Sequence, residues 1–140
     1  MPNAEQLSDN QLFHHDPIVK MEQPHEDARG GIQPLVNEEM KSAVMISSKK
    51  GTVRANHFHK TDWHYCYVLS GAIDYYWRPV HNREKPRHLR IAKGHLFFTP
   101  PLIEHAMVFA EDTVFLCLGR NPRDQETYEA DIERVQVYPL

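Results

Sequence analysis

From residue 42 to residue 118 the chain is cut into β-prone runs by turn-forming residues, at intervals of roughly 8–12 residues. The runs are Ser42-Ala-Val-Met-Ile-Ser-Ser48, Thr52 to His59, Trp63 to Ser70, Ala72 to Arg78, Arg87 to Ala92, Leu96-Phe-Phe-Thr99, Glu104 to Ala110 and Thr113 to Leu118. Between them stand Lys49-Lys50-Gly51, Gly71, the polar loop from Pro79 to Pro86, Gly94, Pro100-Pro101 and Glu111-Asp112. Short strands at this spacing predict an all-β sandwich or barrel.

A chain of 140 residues is the size of one domain. Residues 1–31 are polar, hold Pro2, Pro17 and Pro24, and end in the turn Asp27-Ala28-Arg29-Gly30-Gly31. They are expected to form an N-terminal arm that is flexible or crosses to a partner, with the barrel and a C-terminal tail spanning 32–140. Asp124 to Val135 is predicted as a short helix, announced by Asn121-Pro122, and Val137-Tyr138 as a last edge strand. Net charge is −3, and no basic stripe is present, so nucleic acid is not expected as a partner. No apolar run is long enough to span a bilayer, and the N-terminus lacks the basic and apolar regions of a signal peptide, so a cytoplasmic protein is expected. Cys66 and Cys117 lie in apolar runs and read as small buried hydrophobes.

Three of the ten histidines fall within eight residues, at His57, His59 and His64. His57 and His59 are two apart in a β-prone run, so their imidazoles share one face. His64 opens the next run, and an antiparallel return brings it beside the pair. His105 begins a later run that a barrel places opposite. Four neutral imidazoles suit one divalent transition metal, Zn, Fe, Mn or Ni. His14, His15, His25, His81, His88 and His95 are read as ordinary surface or loop residues.

These residues resemble the cupin superfamily. Its first motif is Gly, five residues, His-x-His, three or four residues, Glu, six residues, Gly; this chain has Gly51, His57-Phe-His59, His64 and Gly71 at that spacing, with His64 in place of the glutamate. The second motif is met by Gly94, Pro100 and His105, with Leu102 where the pattern has glycine and Phe109 where it has asparagine. The resemblance implies a double-stranded β-helix, the jelly-roll barrel of RmlC-like cupins. It also implies a metal held inside by His57, His59, His64 and His105.

A narrower resemblance links Arg54-Ala-Asn-His-Phe-His59 to an Arg-Gly-Asn-His-Tyr-His segment of cupins acting on nucleotide-linked sugars, including capsule-biosynthesis enzymes with a C-terminal cupin domain. Asp27-Ala-Arg-Gly30 is similar to a turn of the deoxysugar epimerases and ketoisomerases. The implied function is isomerisation or epimerisation of a sugar or nucleotide-sugar. His57, His59 and Glu104 are the candidate catalytic groups. Arg54, Lys60, Tyr67 and Arg78 are the candidates for an anionic sugar ligand, with Arg90 as a further cation and Asp62 and Trp63 at the cavity mouth. An Fe-dependent dioxygenase and a non-catalytic small-ligand module are the alternatives. Edge strands that need cover point to a homodimer.

Overall fold

The computed structural model describes residues 16–140. The part of the arm before residue 16, with His14 and His15, lies outside them. Eleven strands and one helix are present among the described residues: β1 His25–Asp27, β2 Gly30–Ile32, β3 Ser42–Ser48, β4 Val53–His59, β5 His64–Ser70, β6 Ala72–Pro79, β7 Arg87–Ala92, β8 Leu96–Thr99, β9 Ile103–Phe109, β10 Thr113–Gly119, α1 Gln125–Asp131 and β11 Ile132–Arg134. All pairings are antiparallel. One sheet runs β3-β10-β5-β8 and the other β11-β4-β9-β6-β7, so chain neighbours from β3 to β11 alternate between sheets except for the β6–β7 hairpin, as in a jelly roll.

The inward faces of both sheets build one core of Val68, Ile73, Tyr75, Trp77, Ile91, Phe97, Phe109 and Phe115. Phe97, Phe109 and Phe115 are each 1% exposed, and burying such a side chain contributes about 2–3 kcal/mol. Tyr75 satisfies its hydroxyl with Thr99 Oγ1 at 2.9 Å. The histidines adjoin this core, the His105 ring stacked 6.1 Å from that of Tyr75.

Four local differences from the sequence reading have physical causes. The turn at residues 27–30 closes a small hairpin, β1 with β2, and Gly30 takes the positive φ (130°) that the reversal requires. The arm continues onto the barrel, where Ile18 bridges to Phe97 in a sheet the sequence could not connect to it. The helix is shorter than expected: Asp124 caps it by accepting from Thr127 N–H at 3.0 Å, and Ile132 turns into β11. Val137-Tyr138 forms no strand. The Asn56 side chain holds that segment instead, accepting from the Val137 and Tyr138 N–H groups (3.0 Å each) and donating to the Tyr138 carbonyl (2.9 Å).

Asn56 can do this because β4 carries a bulge. Ala55 pairs with Ala106 and His57 with His105, leaving Asn56 as the extra residue. Ala55 and Asn56 both have positive φ (68° and 53°), which costs a non-glycine residue about 1 kcal/mol or more. The family segment has glycine at the Ala55 position, and glycine again at Leu102, where φ is 59°. The bulge shifts the parity of the strand. Arg54, opposite Met107, and His57, opposite His105, then both face the barrel interior.

Candidate functional site

Strand alternation builds the cavity. β3 contributes Ser42, Val44 and Ile46; β5 gives His64 and Cys66; β9 gives His105 and Met107; β10 gives Phe115, Cys117 and Gly119. β4 adds Arg54, Ala55, His57 and His59, while Asp62, Arg123 and Tyr128 close the side nearest α1. The space inside is about 110 Å³.

The four predicted histidines all line this cavity and are all buried, at 7% exposure or less. Ligand nitrogens of His57, His59 and His105 lie within 4.8 Å of one another. His64 adjoins them, its ring centroid 5.1 Å from that of His59 and 6.0 Å from that of His105. Its own ligand atom groups with the sulfurs of Cys66 and Cys117.

Two of the imidazoles are fixed in orientation. His59 Nδ1 lies 3.1 Å from Asp131 Oδ2, and His105 Nδ1 lies 3.0 Å from the Ile103 carbonyl. A carboxylate and a carbonyl only accept, so both Nδ1 atoms carry the proton and both Nε2 lone pairs are left for the cavity. Asp131, at the end of α1, also accepts from Thr61 N–H (2.8 Å), Thr61 Oγ1–H (2.6 Å) and Asp62 N–H (3.1 Å). It therefore ties the β4–β5 turn to the helix. Among the described residues no hydrogen bond engages the rings of His57 or His64.

Burial dominates the electrostatics. It lowers the His57 pKa from 6.5 to about 2, with His105 and His59 adding to the effect. It lowers His105 to about 3, again with His59 contributing, against a small opposing effect of the Ile103 carbonyl. His64 is pushed well down by burial and by its three histidine neighbours. His59 is also lowered by burial, although Asp62 and Asp131 pull the other way. Burial alone would raise Asp131, but its bonds from Thr61, Asp62 and His59 hold the carboxyl below its usual range. The site is thus a cluster of neutral imidazoles with one carboxylate behind His59.

Other predicted residues fall elsewhere. Glu104 precedes His105 on β9 and so points to the opposite face, away from the cavity. It pairs with Arg78 at 2.9 Å, directly across from it in β6. Tyr67 likewise faces outward and packs with Tyr65, Leu96 and Phe98, and Trp63 joins that outer cluster, 5.8 Å from Phe98. Lys60 is exposed beyond the end of β4, and Arg90 is engaged by Asp74 at 2.9 and 3.0 Å. Glu104, Tyr67, Lys60, Arg78, Arg90 and Trp63 are therefore absent from the cavity lining, whereas Arg54 and Asp62 belong to it. Period-2 alternation could have excluded Tyr67 and Glu104, which are odd neighbours of inward-facing residues.

Sequence reasoning missed Asp131, Tyr128, Arg123 and the placement of both cysteines. The Tyr128 ring lies 6.1 Å from His57 and 6.0 Å from His59, and the Arg123 guanidinium carbon sits 3.5 Å over its face. Only parity could have found Cys66, two residues after His64 on one strand face. Nothing local marks Asp131, which meets His59 across 72 residues.

No family model and no curated protein matches the chain. Solved structures do. The sugar 3,4-ketoisomerase QdtA from Thermoanaerobacterium thermosaccharolyticum, in complex with TDP, superposes with a TM-score of 0.66 at 21% identity, covering 84% of this chain and 85% of that one. The dTDP-4-dehydrorhamnose 3,5-epimerase from Sulfolobus tokodaii gives 0.64 at 14% identity, covering 89% and 88%. The capsular polysaccharide assembling protein CapF from Staphylococcus aureus gives 0.62 at 20% identity, covering 86% of this chain and 35% of that one. The fold is an RmlC-like jelly roll.

Proposed function

We propose that this protein isomerises or epimerises a keto sugar, carried on a nucleotide, by moving a proton at the carbon beside the carbonyl. The observation that supports this reading most is the His59–Asp131 pair. Its carboxylate fixes the Nδ1–H tautomer, so that a basic Nε2 faces a cavity lined by neutral imidazoles.

His59 Nε2 takes the proton from the substrate carbon, and Asp131 stabilises the imidazolium that results. The negative charge moves to the carbonyl oxygen as an enediolate. In this reading Tyr128, whose ring lies beside His57 and His59 in the cavity wall, returns a proton to the substrate from its hydroxyl. Arg54 and Arg123 at the mouth supply positive charge for an anionic group of the ligand. The names of the similar structures, a sugar ketoisomerase bound to TDP and an epimerase of a dTDP-linked keto sugar, are consistent with this chemistry.

A second reading rests on the convergence of His57, His59 and His105 within 4.8 Å. These neutral, inward-facing imidazoles, with His64 adjoining, fit one divalent transition metal, and the partners behind His59 and His105 are of the kind that orient metal-bound histidines. When bound, such an ion would polarise a substrate carbonyl as a Lewis acid.

The test is deuterium uptake from D2O into a TDP-linked 4-keto-6-deoxy sugar, followed by proton NMR. Exchange at the carbon beside the ketone is expected, and it should fall at least 100-fold in His59→Gln. Exchange that survives chelation with dipicolinate assigns His59 as base; exchange lost on chelation and restored by a metal assigns it as ligand. No exchange across a panel of keto nucleotide sugars would overturn the proposal.

A further inference from the structure

The cavity has a second wall that the proton-transfer reading does not use. Cys66 and Cys117 are directly opposed in the β5–β10 register, and His64 is opposed by Gly119. Alternation puts His64 and Cys66 on one inward face and Cys117 beside them. The ligand atoms of His64, Cys66 and Cys117 meet on this wall of the cavity. Both cysteines are free thiols.

We propose that His64, Cys66 and Cys117 form a soft-metal site, distinct from the three-histidine set on the facing sheet, that takes a monovalent d10 cation of the Cu(I) type. The three ligand atoms lie within 4.8 Å of one another. A trigonal site with metal–sulfur bonds near 2.3 Å separates its sulfurs by about 4 Å, so only a small contraction is needed. Two sulfurs and one imidazole are the donors that select a soft ion, whereas harder divalent ions favour the all-nitrogen set opposite.

Coordination number favours the same choice. Cys66 is 1% exposed and His64 7%. Both sulfurs must be thiolates to serve as ligands. A divalent ion would need a fourth ligand for its preferred tetrahedron. Three donors suffice for the monovalent ion. Binding therefore releases two protons per ion.

The experiment uses the full chain, reduced, free of any affinity tag and kept anaerobic. Cu(I) is supplied in competition with bicinchoninate, and X-ray absorption reads the copper shell. One Cu(I) per chain with two sulfur neighbours is expected. His57→Gln should retain it, while Cys66→Ser and Cys117→Ser should each weaken it at least 100-fold. The absorption spectrum of the unaltered protein decides the matter even if a serine variant fails to fold. A nitrogen-only shell, copper lost with His57→Gln, or no retention against bicinchoninate would each overturn the site. The assignment does not depend on the sugar reading, because copper binding and deuterium exchange share no readout.

Discussion

Replacing Asp131 with asparagine changes one atom and tests the centre of the site. The carboxylate accepts four hydrogen bonds, two at each oxygen: Thr61 N–H and Oγ1–H at Oδ1, His59 Nδ1–H and Asp62 N–H at Oδ2. An amide has one accepting oxygen. Whichever way it is turned, its NH2 faces a backbone N–H, of Thr61 or Asp62, that then has no partner. Leaving such a donor unpaired, together with the lost charge-assisted bonds, costs about 3 kcal/mol. For a domain of this size that corresponds to a fall in Tm of roughly 6–12 °C. If the NH2 meets His59, the ring must accept at Nδ1, which moves its proton to Nε2 and removes the lone pair from the cavity. Deuterium exchange into substrate should then drop by about 10²–10⁴. Thermal unfolding by circular dichroism reads the first effect, and 15N shifts of the His59 ring read the tautomer. A Tm within 2 °C of the unaltered protein, or full exchange activity with the tautomer reversed, would refute this reasoning.

Acid should destabilise the metal-free protein well above the usual carboxylate range. His57 and His105 sit at about 2 and about 3 when folded, against 6.5 when free. Their stabilisation is complete above pH 6.5, and it is lost as the unfolded chain takes up protons below that value. Each such imidazole removes about 1.4 kcal/mol per pH unit between 6.5 and its folded pKa, so Tm should decline steeply from pH 6.5 to 5; a flat profile would contradict the burial of neutral rings. Arg78→Met should cost about 3 kcal/mol, because Glu104, only 3% exposed, loses its partner. Restoring stability with Arg78→Met plus Glu104→Gln is expected, and urea unfolding that shows no coupling between the two sites would refute the pairing.

Much of the barrel is legible along the chain, because turn residues and β-prone runs are local signals. His57 and His59 share a face for the same reason, and Gly51, His64 and Gly71 keep a spacing that the strand lengths impose. Facing is less legible where parity changes. A reader counting by twos from His57 would turn Arg54 outward, and only the bulge at Ala55-Asn56 brings it in. The same count, applied to β9, would have kept Glu104 out of the site. Tail contacts are not legible at all: Asn56 reaches Tyr138 across 82 residues, and no local pattern encodes that meeting.

The sequence by itself determined the strand runs and the shared face of His57 and His59, since each depends on residues close together or on alternation, whereas the jelly-roll order and the inward place of His64 and His105 were implied only by the family resemblance. The tertiary structure alone decided which of those histidines is held by a carboxylate, because Asp131 arrives from a helix far along the chain. It also decided that His64 stands with two thiols on one sheet while His57, His59 and His105 stand on the other. Strand pairing, unlike strand formation, is settled by how two sheets close around a core, and that closure places every group in the cavity.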